Sequence, residues 1–276
     1  MVTRRAILIG APGSGENHLY GAASDLRMMR EFLESPKGGS WLPQEISVLS
    51  NPNWSELALR IVWCHEDYVM IYFFGHGFTD AETGNRMIVL RDHPMQDLEL
   101  LTKSRKQLVI VDACRNFVRG GLDGIPDFSQ HESHFEVYST RELFDQMIVN
   151  SPEGHMIIHA TKPGQYSVDT VNGGMFTHTL LQECNQLQPV NQQIDCYAID
   201  SLVKFLPHKL RELDSDQVPD VAYRTGNLSV PFVFAIRGLT GINKPVQQES
   251  IKPAGMLTFT VAALAMIALI AFFSND

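Results

Sequence analysis

Cys114 and His76 are the two side chains in this chain whose surroundings suit covalent chemistry. Cys114 lies in the stretch Gln107–Asn116, QLVIVDACRN, and His76 sits between two glycines directly after Tyr68–Phe74, YVMIYFF. A thiol held beside an imidazole is a nucleophile with its base. Singly, each has a plainer reading, since free cysteine is among the most buried residue types and a histidine between glycines can be a turn residue. Their joint placement favours the chemical reading. Gly75 and Gly77 let a substrate backbone approach closely, and a strand-to-loop junction at Cys114 offers amides that can bind an anion.

Both stretches need strands to position them. Each apolar run is too short for a buried helix and suits a strand covered on both faces, as in the centre of a parallel sheet. In an open α/β sheet the carboxyl ends of the strands form the functional edge, so His76 and Cys114 leave together if their strands are parallel neighbours. Around them the pattern predicts strands at Arg4–Ala11, Glu45–Leu49, His155–Ala160 and Asn227–Ile236, the last at an edge because of Pro231. Helices are predicted over Ala22–Leu33, from Asn53 or Ser55 to Cys64, and over Pro94–Ser104, Thr140–Val149, Met175–Leu187 and Ile194–Leu213. A hairpin is expected within Thr79–Asp92, and Phe117–Ser139 reads as a long loop. Alternation of this kind gives a mostly parallel sheet with helices on both faces.

Composition narrows the function. The chain has 276 residues, 44% hydrophobic and 19% charged, which describes a globular protein. A formal charge of −9 with no basic run argues against nucleic acid. Cys64, Cys114, Cys184 and Cys196 show no CxxC pair, which reads as reduced thiols. Gly10-x-x-x-x-Gly15 resembles the start of a phosphate loop, but Glu16 and Asn17 stand where Lys and Ser/Thr are needed, so nucleotide binding is rejected. His131-x-x-His134 reads as solvated loop histidines, and no metal site is predicted. The apolar part of the amino terminus is too short for a signal peptide.

The carboxyl terminus has a different character. Gly255–Phe273 runs for about 19 residues without a charge, close to the roughly 20 needed to cross a bilayer. It has no polar face, so it is read as a single transmembrane helix. Residues 1–239 form the expected soluble domain and 240–254 a linker. Arg237, Lys244 and Lys252 precede the apolar run and only Asp276 follows, which places the domain on the cytoplasmic side.

FFGHG (Phe73–Gly77) and DACRN (Asp112–Asn116) resemble the two signature segments of caspase-like cysteine proteases, with Cys114 lying 38 residues after the histidine. Leu19–Leu33 and Gln165–Leu181 extend the resemblance, which spans roughly residues 4–236. QYSVD followed by GGMFT is closer to metacaspases and bacterial caspase-like proteins of peptidase family C14 than to animal caspases. The resemblance implies a three-layer α/β/α sandwich with a mostly parallel six-stranded sheet. It also implies Cys114 as nucleophile, His76 as proton carrier, and the amides of Gly77 and Cys114 as oxyanion hole. No cofactor is implied; some metacaspases need calcium, but no acidic cluster here is assigned to it.

Specificity follows from departures within the same motifs. Animal caspases cleave after aspartate, using a Gln two residues before the cysteine and pocket arginines. Here Asp112 replaces that Gln, and Asp169 and Leu19 stand where the arginines align. With Ser167 beside them, Asp112 and Asp169 suit a cation, so cleavage after Arg or Lys in a protein or peptide substrate is expected. The plainer reading is that Asp169 caps a turn and Asp112 anchors a loop. Arg119 and Arg141 are then candidate self-cleavage sites, unless the long loop only gates the site. Bacterial relatives serve regulated self-destruction or antiphage defence, triggered by an activating partner or small signal molecule, and a homo-oligomer is compatible with the sequence. A catalytically silent scaffold that binds a partner at the membrane is the competing class, and the intact His76/Cys114 pair argues against it.

Overall fold

The computed structural model describes residues 2–115, 117–118, 139–170, 173–190, 193–229 and 231–237. The chain divides by contact into Met1–Thr240 and Gly241–Asp276, and all described residues lie in the first unit. The expected loop between 119 and 138, Arg119 within it, and the expected membrane helix fall outside the described residues. Among the described residues, no helix is long and apolar enough to cross a membrane.

The first half of the chain contains β1 (Arg4–Ala11), α1 (Ala22–Glu34), β2 (Ile46–Ser50), α2 (Trp54–Val62) and β3 (Tyr68–Gly75). Three short strands follow, β4 (Gly77–Asp80), β5 (Arg86–Val89) and β6 (Pro94–Gln96), and then β7 (Lys106–Asp112) and β8 (Phe117–Val118). The second half adds α3 (Arg141–Asn150), β9 (Gly154–His159), the two-residue strands β10 (Asp169–Thr170) and β11 (Gly173–Gly174), and α4 (Met175–Gln186). It closes with β12 (Ile194–Ala198), α5 (Ile199–Val203), α6 (Leu206–Glu212), β13 (Asp220–Gly226) and β14 (Pro231–Ile236).

The central sheet has six strands in the order β13-β9-β7-β3-β1-β2, parallel except for β13, which runs antiparallel to β9. Its inner strands are buried on both faces, and that is why their sequences read as unbroken apolar runs. Side chains of Leu8, Met70, Tyr72, Leu108 and Ile110 meet α1, α3 and α4 on one face, whereas Ile9, Ile71, Phe73, Val109 and Val111 meet α2 and the β5–β6 region on the other. Burying each such side chain contributes about 1.5–3 kcal/mol before entropy is counted. Asn53 caps α2: its side chain accepts from the Glu56 amide at 2.8 Å, and Glu56 reciprocates.

Three expectations are corrected. Pro94–Ser104 is not a helix: β6 is followed by one 3-10 turn, Asp97–Leu100, whose Asp97 is drawn inward to Arg86 and His159. Ile194–Leu213 breaks into β12, α5 and α6, because Ile194–Ala198 pairs with β14 instead of coiling. The sixth strand of the sheet is β13, not Asn227–Ile236; β14 belongs to a separate two-stranded sheet with β12.

Candidate active site

Parallel pairing of β3 with β7 aligns Phe74 with Asp112, so His76 and Cys114, each two residues further on, emerge at the same carboxyl rim. The two segments touch. A methyl group built on Gly77 would lie 2.9 Å from Ala113 Cβ and 3.0 Å from the Cys114 carbonyl oxygen, so only glycine fits without displacement. Gly75 is confined in the same way by Ala11. The Val89 amide donates to the His76 carbonyl at 2.9 Å, which makes Gly77 and Ile88 a non-hydrogen-bonded pair and turns the Gly77 amide away from β5.

Arg115 pins the other side of the Cys114 loop. Its amide donates to the Gln165 carbonyl, and its own carbonyl accepts from the Gly164 amide and the Thr79 hydroxyl. Its buried guanidinium donates to the Thr161 carbonyl and pairs with Asp220 at 3.1 Å. Cys114 is thus held between the end of a rigid strand and a residue fixed from several directions.

Ser167 ties the sulfur to an acid. Its amide donates to Cys114 Sγ at 3.3 Å, the thiol faces its carbonyl at 3.6 Å, and its hydroxyl donates to Asp112 Oδ1 at 2.6 Å. Gln217 steadies this arrangement by donating to Ser167 Oγ and accepting from the Val168 amide. The segment is joined to the Ser215–Val218 loop a second time, through Gln165 to the Asp216 carbonyl and the Val218 amide.

Asp112 is buried and accepts from Ser167, from the Thr177 hydroxyl at 2.7 Å and from the Thr177 amide at 3.2 Å. Two more carboxylates adjoin it. Asp25, on α1, is buried and accepts from the Gly174 amide at 2.7 Å through Oδ2, while its Oδ1 has no partner. Asp169 lies near the amides of Gly21 and Thr170, which favour its ionised form, but neither reaches hydrogen-bonding geometry, and both its carboxylate oxygens are buried without a partner. Gly21 and Gly173 make room for the acids: a side chain on the first would strike Asp169, and one on the second would strike Asp25.

Burial raises the affinity of these acids for protons. Asp25 is pushed well above the usual carboxylate range by burial and then by Asp112, against the opposing Gly174 amide. Burial likewise raises Asp112, with Ser167 and Thr177 opposing, and lifts Asp169 to about 6. With three donors on Asp112 and one on Asp25, Asp25 is the better proton holder of that pair. The Cys114 thiol is raised too, first by burial, with the Ser167 amide opposing and the charges of Asp112 and Asp169 adding to the rise.

A family model described as peptidase C14, caspase domain, matches residues 3–225. The chain belongs to the caspase-domain family. It is accordingly a cysteine-type endopeptidase with the caspase-like α/β fold. It is similar to the crystal structure of caspase-1 from Spodoptera frugiperda, with 16% identity and a TM-score of 0.49 over 88% of this chain and 93% of that one. Among curated proteins, none matches.

Within this caspase domain, His76, Gly77, Cys114, Asp112, Ser167 and Asp169 gather at one rim. Arg141 does not join them. It opens α3 and forms a bidentate pair with Glu45 at 2.8 and 2.6 Å, near the start of β1 and thus at the opposite rim; cleavage after it would require unwinding the first turn of α3. Among the described residues no group of three His, Cys, Asp or Glu could hold a metal ion. Two concavities lie at that opposite rim, one of them lined by Lys106, which already serves the Ile148 and Val149 carbonyls. Sequence reading missed Asp25. Its signal was present: an acid on the stripe of α1 that buries Leu26, Met29, Phe32 and Leu33.

Proposed function

We propose that this caspase-domain peptidase uses His76 and Cys114 as base and nucleophile to cut protein chains after Arg or Lys, anchored to a membrane through residues 255–273. In this scheme the His76 imidazole takes the thiol proton and the sulfur attacks the scissile carbonyl carbon. The developing oxyanion is received by the amides of Gly77 and Cys114, where one donor contributes about 3 kcal/mol. His76 returns the proton to the leaving amine, and water then hydrolyses the thioester.

The observation that carries the specificity is the group Asp25, Asp112 and Asp169, none of which is charge-balanced by a cation among the described residues. Placing carboxylates there and leaving them unpaired suits an arriving guanidinium or ammonium group. A peptide panel varied only at the residue before the cut tests it: rates should be highest for Arg and Lys and vanish in Cys114→Ala, and preferred cleavage after Asp would overturn the reading. The uncharged run at 255–273 supports the anchor. Removing it should move the protein from the membrane to the soluble fraction of cells. The role in cell death or antiphage defence rests on resemblance, and is tested by whether phage plating depends on Cys114.

A further inference from the structure

Besides its burial, the Cys114 thiol feels two carboxylates, Asp112 and Asp169, and these pose a problem for it. A thiolate is the reactive form, and negative charge nearby opposes it. The geometry makes this coupling short. Asp112 Oδ1 holds the hydroxyl of Ser167, and the amide of that same residue holds Cys114 Sγ, so one residue bridges acid and sulfur. Asp112 lies against Gly174, Asp25 against Gly173 and Asp169 against Gly21, and the charge of Asp112 bears on both of the other acids.

We propose that the basic side chain of the substrate is itself the activator: the acids keep Cys114 unreactive while their site is empty, and a cation docking among them releases the thiol for attack. The inference rests on the reading that the enzyme cuts after Arg or Lys. The groups that face the acids are Asp25 from α1, Asp112 from β7, Asp169 from β10, Tyr72 from β3 and Cys114 itself; no described cation is among them. Tyr72 is held neutral by burial and donates no charge. Asp25 Oδ1 and both oxygens of Asp169 are buried without a hydrogen-bond partner, which is the state a cation would relieve. Its charge would cancel the field that Asp112 and Asp169 exert on the sulfur. No bond to the cation forms, and the proton leaves Cys114 for the imidazole of His76, the base of the proposed reaction. A substrate with a neutral residue at this position would then fail twice, through weaker binding and through a thiol left unreactive.

The test uses the full-length chain and a small uncharged alkylating agent, iodoacetamide, whose reaction with Cys114 reports thiolate directly. Cys114→Ala supplies the background from Cys64, Cys184 and Cys196. n-Butylguanidine, an arginine side chain without a backbone, is the pocket probe, and its binding is measured by competition with an Arg peptide. Near neutral pH, saturating probe should speed alkylation of Cys114 by about tenfold, the equivalent of one pH unit in the thiol's midpoint. Asp169→Asn should react faster than wild type without the probe and gain less from it. If the probe competes with the Arg peptide yet leaves alkylation unchanged or slower, the inference is overturned while the specificity stands. If it does not compete and Arg peptides are not cut, both fall together.

Discussion

Ser167 donates its hydroxyl to Asp112 at 2.6 Å and its amide to the sulfur of Cys114 at 3.3 Å, so the acid that would read the substrate and the atom that would attack it share one neighbour. The pairing of β3 with β7 fixes this arrangement, because it delivers the His76 and Cys114 segments to the same rim.

If the His76 and Cys114 side chains act together, removing either should cost about 10³-fold or more in kcat, and removing both should cost little beyond that. Single and double alanine variants assayed on an Arg peptide measure it. Additive losses would mean that the two act separately.

Asp112→Asn keeps an oxygen for the two Thr177 donors and lets the Ser167 hydroxyl turn to accept from the new NH2, so the fold should survive. Loss of its charge should lower kcat/KM on Arg and Lys peptides by about 10–100-fold, mostly through KM, or roughly 1.4–2.7 kcal/mol. Unchanged kinetics would return Asp112 to a loop anchor.

Asp169 carries a pH signature. Burial lifts its carboxyl to about 6, so cleavage of Arg peptides should improve as pH rises through about 6 and the group ionises. Stability should move the other way. Because the folded value is raised above the ordinary 3.8, the folded state binds the proton more tightly; this stabilisation is present in acid and fades as pH rises through about 6. Asp169→Asn should flatten both trends, read from kcat/KM between about pH 5 and 8 and from urea midpoints between about pH 4 and 7, since the stability is lost between the ordinary 3.8 and about 6.

Arg4 is the test of stability without chemistry. Its side chain is fully buried, lies 4.8 and 4.9 Å from the rings of Trp41 and Phe144, and pairs with Asp145 at 3.3 Å and Glu45 at 3.8 Å. Burial brings it down to about 10. Arg4→Ala takes the cation from Asp145 and leaves Glu45 to Arg141 alone, and with the lost ring contacts it should destabilise the domain by about 3–5 kcal/mol in urea unfolding, while folded molecules keep their activity, since Arg4 begins β1 at the rim away from Cys114.

The central strands were legible because two-sided burial leaves no polar alternation to confuse them, as in Leu108–Val111 and Tyr68–Phe74. Strand β13 was not, since Asp220–Gly226 lies at the sheet's margin, partly exposed, and carries no apolar run. Ile194–Ala198 took the form of a strand because Pro231–Ile236 supplied a partner that local pattern does not reveal. The rim residues His76, Cys114, Asp112 and Asp169 were readable from motif and position. Asp25 escaped because an acid in the first turn of a helix has an ordinary explanation in the helix dipole. Its burial emerges only once α1, the Gly174 amide and the end of β7 are packed together.

The loop Ser215–Val218 grips the Gln165–Val168 segment through Gln165 and Gln217 and then runs into β13, the outermost strand of the sheet. That strand cannot slide along β9 without tugging the bench on which a substrate would lie. Any chain that came to rest against it would have a handle on the sulfur it never touches.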